Sequence, residues 1–499
     1  MTVGGVVMRW TWSFAVLLIG LAAGCGDSES PPGPTSSAGG SGGLGGGPGG
    51  AAGSGGAAGQ GGAATAPCEG VTCSDHGVCV EAQGAPWCVC MRGYHPDGTA
   101  CAADADPPSG QDWFVATDGD DAAAGTIDDP FRTIRHGLDQ VEPGDTVYLR
   151  GGVYEVTDRI SIRTDGTADE TNALWGYPGE EVVIEFSSDT RPCTNTDPGI
   201  QLQADYWHLK SLTVRGACYI GIHVSGNHNV IEACVAHDNG DTGIHVGGTS
   251  EQTKVLNCDA YRNYDPEEHG QDADGFGAKF DVGPGTEFRG CRAWHNSDDG
   301  FDFWEANHPV LVEDCWAFAN GIDQWNDPAF EGNGNGFKLG RDNQGGSAAG
   351  RHIVVGSVAF GHPANGFDEN SNIAGVFVLN NTAWDNGSRD FFFNHGQTAT
   401  APNVLRNNLS FSGSVSINAA STTSSNSWEI SGLTVDAADF LSLDETLALV
   451  DRLPDGSLPD NDLLRLAPGS DCIDAGEVLT EVQRPHTGSA PDLGAFERP

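Results

Sequence analysis

Cys291-Arg-Ala-Trp-His-Asn296 and the Ser297-Asp-Asp-Gly-Phe-Asp302 that follows it form the stretch on which the fold turns. The first half recurs as Cys234-Val-Ala-His-Asp-Asn239, Cys258-Asp-Ala-Tyr-Arg-Asn263 and Cys315-Trp-Ala-Phe-Ala-Asn320. It continues as Ser357-Val-Ala-Phe-Gly-His362 and Asn381-Thr-Ala-Trp-Asp-Asn386, with copies 24 to 42 residues apart. The second half recurs as Asp241-Thr-Gly-Ile244, Asp274-Gly-Phe276, Asn335-Gly-Phe337 and Asn365-Gly-Phe367. Two short strand motifs in constant order, joined by loops of varying length, mark the coils of a solenoid. We therefore expect an all-β chain whose main part is a right-handed parallel β-helix. Equivalent residues of successive coils then stack about 4.8 Å apart. The Asn column can form an amide ladder at a turn, and Phe276, Phe301, Phe337 and Phe367 can stack inside.

Four cysteines, Cys234, Cys258, Cys291 and Cys315, share one column. Metal or disulfides would be one use. Stacked Cβ atoms, however, sit about an ångström beyond the ~3.8 Å that a disulfide favours. Buried free cysteine packs well, so we read the column as core. Cys193 and Cys218 can pair, and Cys472 has no evident partner.

The Gly-Phe register also orders the outside. Phe points inward, so the next residue points outward. That outward column reads Gly277, Asp302, Lys338, Asp368. The residue before each Gly reads Asp274, Asp299, Asn335, Asn365, and Asp298 precedes Asp299. Asp274, Asp298, Asp299 and Asp302 thus converge from two adjacent coils, with Lys338 one coil above. Four carboxylates this close cannot all stay ionised without a cation. An oxygen-only cluster without His or Cys suits Ca²⁺. A solvated Asp-rich turn is the bland alternative.

The lysine points to one reaction. In β-elimination of a uronan, a base removes the proton at C5, α to a carboxylate, and the 4-linked sugar leaves. Ca²⁺ on that carboxylate would stabilise the developing charge. The base must be neutral, and free lysine has a pKa of about 10.4. A nearby divalent cation and desolvation favour the free amine, while Asp302 and Asp368 oppose it. A salt bridge from Lys338 to those two aspartates is the structural alternative. Lys279 and Trp304 should face the same groove, where a cation and an aromatic platform suit an anionic sugar. Surface packing explains them equally well. Arg341 is a weaker candidate for the same role, and the histidines, His245 and His295 among them, receive none.

These residues resemble the calcium-dependent pectate lyases of polysaccharide lyase family nine. The resemblance rests on Asp274-Gly-Phe, Asp298-Asp299-Gly-Phe-Asp302 and Asn335-Gly-Phe-Lys338, with Asn263-Tyr-Asp265 nearby. It covers most of Asp112 to about Asn408. It implies that the four aspartates bind the catalytic calcium, that Lys338 is the Brønsted base, and that pectate (polygalacturonate) is the substrate. Alginate or another uronan is the alternative polymer. A non-catalytic carbohydrate-binding adhesin is the alternative class, which the intact Lys338 and Asp set argue against.

Outward from the helix the chain reads in segments. Arg9, the apolar run Trp10 to Leu21 and the small residues before Cys25 describe a secretory signal over 1–24. The run is short for a membrane span. Its Ala22-Ala-Gly-Cys25 resembles a bacterial lipobox, which would lipidate Cys25; plain secretion is the alternative. Residues 25–67 are a Gly/Ala/Ser-rich tether with a mean reach of about 35 Å. Over 68–101 lie Cys68, Cys73, Cys79, Cys88, Cys90 and Cys101, a disulfide framework with fifteen pairings open. The spacing resembles an EGF-like module, which would pair Cys68–Cys79, Cys73–Cys88 and Cys90–Cys101. The acidic residues that precede the first cysteine of calcium-binding modules are absent, so a spacer or protein-contact module is expected. A linker spans 102–111 and the β-helix 112–499.

Phe131, Ile134, Leu138 and Val141 after Pro130 predict a short amphipathic cap helix over the open end of the solenoid. Ala467-Pro-Gly469 and Pro491 to Phe496 predict a closing strand and C-terminal cap. Residues 412–460 have no clear pattern. The net charge is −45, from 24 Lys+Arg and 69 Asp+Glu, which excludes a nucleic-acid partner. A monomer is expected, touching membrane through the lipid anchor only.

Overall fold

The computed structural model describes residues 68–82, 85–104, 109–186, 197–341, 350–395 and 401–498. The signal segment with Cys25, the tether and Cys193 lie outside the described residues. Cys218 is disulfide-bonded.

From Asp112 the chain winds as a parallel β-helix of three sheets. The first has twelve strands among the described residues, from Asp112–Val115 to Thr422–Ser424. The second has ten, from Gly152–Val156 to Leu409–Phe411, and carries the Cys-x-Ala motif. The third also has ten, from Ile160–Ile162 to Val415–Ile417, and carries the Gly-Phe motif. Phe276, Phe301, Phe337 and Phe367 pair in sequence, so the expected register holds. Their rings are fully buried and stack 4.8 to 4.9 Å apart. Each contributes roughly 1.5–3 kcal/mol through burial.

The strands are short because a corner ends each one. Asp238, Arg262, His295 and Ala319 have left-handed φ of 50° to 56° and turn the chain. The following Asn satisfies the backbone groups that the turn frees. Asn263 Nδ2 donates both to Ala236 O at 3.2 Å and to Asn296 Oδ1 at 2.9 Å. Asn239, Asn263, Asn296 and Asn320 link in this way, and His362 takes the next place. Cys234, Cys258, Cys291 and Cys315 are free and fully buried, as the core reading expects; Cys472 is also free and buried.

Two expectations are corrected. The cap helix spans only Ile134–Leu138, with Thr133 as its N-cap. Phe131 cannot join it, because its N–H donates to Phe114 O and its carbonyl accepts from Ala116 N. The C-terminal segment is not an end cap and holds no closing strand. After strands Val415–Ile417 and Thr422–Ser424, it runs back along the outside of the second sheet. The cause is the outer face there. His237, Tyr261, Trp294, Phe318, Phe360 and Trp384 stack outward at 4.5 to 5.6 Å. Such a row cannot be left in water, and Phe440, Leu463, Leu464, Leu466 and Leu493 cover it from Trp294 to Trp384. Arg452 pins the cover by pairing with Asp259 at 2.6 Å, beside Arg292 at 2.8 Å from the same carboxylate.

Disulfides Cys68–Cys79, Cys73–Cys88 and Cys90–Cys101 hold the N-terminal module, which has two small hairpins. The module rests on the first coils. Met91 packs on the outer Phe114, Tyr148 and Trp175. The Arg92 guanidinium donates to Thr146 Oγ1 at 3.1 Å and also to Thr171 O.

Candidate active site

The third sheet presents one column outward: His245, Gly277, Asp302, Lys338, Asp368 and Phe392, each opposite the next. Asp274, Asp298 and Asp299 sit at the turn that leads into this sheet. One oxygen from each lies within 4.8 Å of the others, and all three residues are buried. Backbone groups fix them. Asp298 accepts from Asn333 N at 3.0 Å and Asp272 N at 3.2 Å. Asp299 Oδ1 accepts from Asn335 N at 2.7 Å and Asn335 Nδ2 at 2.8 Å. Asp274 Oδ1 accepts from Asp299 N at 3.1 Å.

Asp302 stands apart from that group and between two lysines. Its Oδ2 is 3.0 Å from Lys279 Nζ and 3.3 Å from Lys338 Nζ. Lys338 also reaches Asp299 Oδ2 at 2.8 Å, and Lys279 reaches Asp274 Oδ2 at 2.6 Å. The ion pairs of Lys338 are therefore with Asp299 and Asp302, not with Asp302 and Asp368 as the sequence suggested. Asp368 turns instead to Asn365 Nδ2 at 2.8 Å and Asn370 N at 2.6 Å. Lys279 differs from expectation too. At 7 % exposure it is enclosed by the acid cluster and does not line an open groove. Trp304 and Arg341 are half-buried side by side, the guanidinium 4.3 Å over the indole and Lys338 Nζ 5.1 Å from it.

The electrostatics follow from burial. Burial raises the Asp274 carboxyl well above its ordinary range, and burial with Asp299 alongside pushes Asp298 up to about 7. Burial opposes ionisation of Asp302 as well, but Lys279 and Lys338 outweigh it and hold that carboxyl low. Desolvation would lower Lys338, yet Asp299 and Asp302 raise it above the usual ammonium range. Four carboxylates against two ammonium groups leave two formal negative charges, which a divalent cation matches. The donors are all oxygen, the preference of a hard cation.

Sequence reasoning missed several neighbours. Thr242 Oγ1 donates to Asp274 Oδ2 at 3.3 Å. His245, left without a role by the sequence, stacks on His223 at 5.1 Å below the cluster. Arg389 and Phe392 extend the site face upward. Continuing the column one coil would have found them, but Asp390 replaces the expected Gly and hides the motif.

Comparison with known proteins agrees with the β-helix fold. Residues 113–408 match the family described as Pel9A-like, right handed beta helix region. Pectate lyase L of Dickeya dadantii is 40% identical over 392 residues, 77% of this chain and 90% of that protein. The crystal structure of pectate lyase Pel9A superposes with a TM-score of 0.72 at 39% identity, covering 78% of this chain and 96% of that one. A rhamnogalacturonan lyase structure gives a TM-score of 0.65 at 28% identity, over 72% and 97%.

Proposed function

Because the chain belongs to the Pel9A-like right-handed β-helix family, we propose that it is a pectate lyase that cleaves homogalacturonan by calcium-dependent β-elimination. One observation carries the reading: Lys338 Nζ lies 2.8 Å from the carboxylate of Asp299, on the rim of a buried three-carboxylate cluster. Asp274, Asp298 and Asp299 would hold the calcium, with Asp302 as the fourth ligand. Bound calcium supplies positive charge to the substrate carboxylate, where negative charge collects as C5 is deprotonated.

Lys338 Nζ takes the C5 proton. The released electron pair forms the C4–C5 double bond, and the C4–O bond breaks, the departing oxygen gaining a proton from water. Nζ can act only when neutral. Asp299 and Asp302 keep it protonated while their charge is free. Once they are committed to a cation, desolvation favours the free amine. Trp304 and Arg341 border Lys338 and would orient the sugar. Lys279 contributes by balancing Asp274 and Asp302 from beneath. The signal segment would export this activity, and a lipid on Cys25 with the tether behind it would hold it at the cell envelope or cell surface.

Substrate identity is tested by incubating the protein with polygalacturonate, rhamnogalacturonan and alginate at saturating calcium. Unsaturated product from polygalacturonate, and little from the others, is expected. Preference for either other polymer would overturn the pectate assignment.

A pH dependence follows as well. The Asp298 carboxyl lies near 7 in the metal-free protein, so below that pH a proton must leave before a cation binds. Calcium affinity should therefore fall about tenfold or more from pH 8 to pH 5.5, as read by calorimetry. Equal affinity at the two values would contradict the assignment of Asp298 as a ligand.

A further inference from the structure

The column that begins with carboxylates ends in a cation. Asp299, Asn335, Asn365 and Arg389 stand on successive coils. Asn335 Nδ2 donates to Asp299 Oδ1 at 2.8 Å, Asn365 Nδ2 to Asn335 Oδ1 at 3.3 Å, and Asn365 pairs with Arg389 in the ladder. Beside it, the outward column climbs from Lys338 through Asp368 to Phe392. The Arg389 guanidinium lies 4.3 Å over the Phe392 ring, and both residues are half-exposed. Stacking fixes the plane of a guanidinium while leaving its N–H edge free.

That edge is unclaimed. In a chain of net charge −45, Arg389 makes no ion pair and no side-chain hydrogen bond among the described residues. Acids beside it in the chain and on the adjoining coil are otherwise engaged: Asp390 accepts from Asn386 Nδ2 at 2.9 Å and Ser410 Oγ at 2.6 Å. Asp368 accepts from Asn365 and Asn370, and Glu369 accepts from Asn403 Nδ2 and from His395 N at 2.8 Å. Arg341 on Trp304 shows the same arrangement at the same 4.3 Å, on the same face.

We propose that Arg389, held flat by Phe392, is a distal subsite that binds the carboxylate of a uronate two coils, about 10 Å, from Lys338. This rests on the uronan reading of the site and extends it. Binding energy gathered there would favour long chains over short ones and keep the polymer aligned along the helix axis.

Calorimetry with hexagalacturonate on Lys338→Ala protein at saturating calcium, with and without Arg389→Gln, provides the test. About tenfold weaker hexamer binding with Arg389→Gln is expected, with partial recovery in Arg389→Lys and unchanged calcium affinity. Equal hexamer affinity would overturn the subsite. A parallel loss of calcium affinity would also overturn it, by showing that Arg389 acts through the acid cluster. Binding is read without turnover, so failure of the lyase reaction itself, seen as an inert wild-type protein, is distinguished from failure of the subsite.

Discussion

Lys338→Ala should lower turnover of polygalacturonate by about 10²–10⁴-fold, the usual contribution of a positioned general base. Calcium affinity should hold or rise. Lys338 Nζ sits 2.8 Å from Asp299 and 3.3 Å from Asp302, so its removal takes a competing cation from the cluster. The fold should persist, because Phe337 beside it, not Lys338, packs the core. A measured rate within a few fold of wild type would remove Lys338 from the chemistry. Loss of rate together with loss of calcium binding would instead make it a structural residue.

Asp299→Asn should lower calcium affinity on the order of 10²-fold, since affinity follows the ligand charge count. Turnover should fall with it and return in part at high calcium. Asparagine is tolerated in this column, because Asn335 and Asn365 already occupy it on the next coils and the amide can still accept from Asn335 N. The substitution therefore removes charge and little else. Asp299 Oδ2 is also a partner of Lys338, so the lysine should lose some of its hold on a proton. Unaltered calcium binding, measured by calorimetry, would show that the cluster does not hold the metal.

Much of this site is legible in the sequence because a β-helix converts a repeat into a column. Once Phe301 and Phe337 are aligned, the neighbours of Asp302 and Lys338 follow from the pleat. Side-chain reach is a different matter. Nothing in the spacing says that Lys279 folds back 2.6 Å from Asp274 rather than facing the groove, or that Lys338 prefers Asp299 to Asp368. Those outcomes depend on which carboxylates are already satisfied by backbone N–H groups, and long-range loops supply these. Arg389 escaped notice because Asp390 breaks the Gly-Phe pattern, although Phe391 continues the inner stack at 5.0 Å from Phe367. The path of the C-terminal segment is hidden in the sequence for a similar reason. Its isolated apolar residues carry no period, and their target, the outward aromatic row from Trp294 to Trp384, is visible only when Cys-x-Ala-aromatic is read for both faces.

The acidity of the chain argues at first against a polyanionic substrate. Four buried aspartates against the buried Lys279 and the partly buried Lys338 leave a net negative charge that, on the proposed reading, one divalent cation would balance. The same charge would link metal to base in the proposed mechanism, since Asp299 and Asp302, the ion-pair partners of Lys338, would also be calcium ligands.

Calcium-dependent β-elimination is tested most directly by titrating calcium into metal-stripped wild-type protein with polygalacturonate and following the unsaturated product by its ultraviolet absorbance. No product before calcium, and a saturable rise with it, is predicted. Cleavage that yields only saturated ends, or product formation undiminished after stripping, would contradict it.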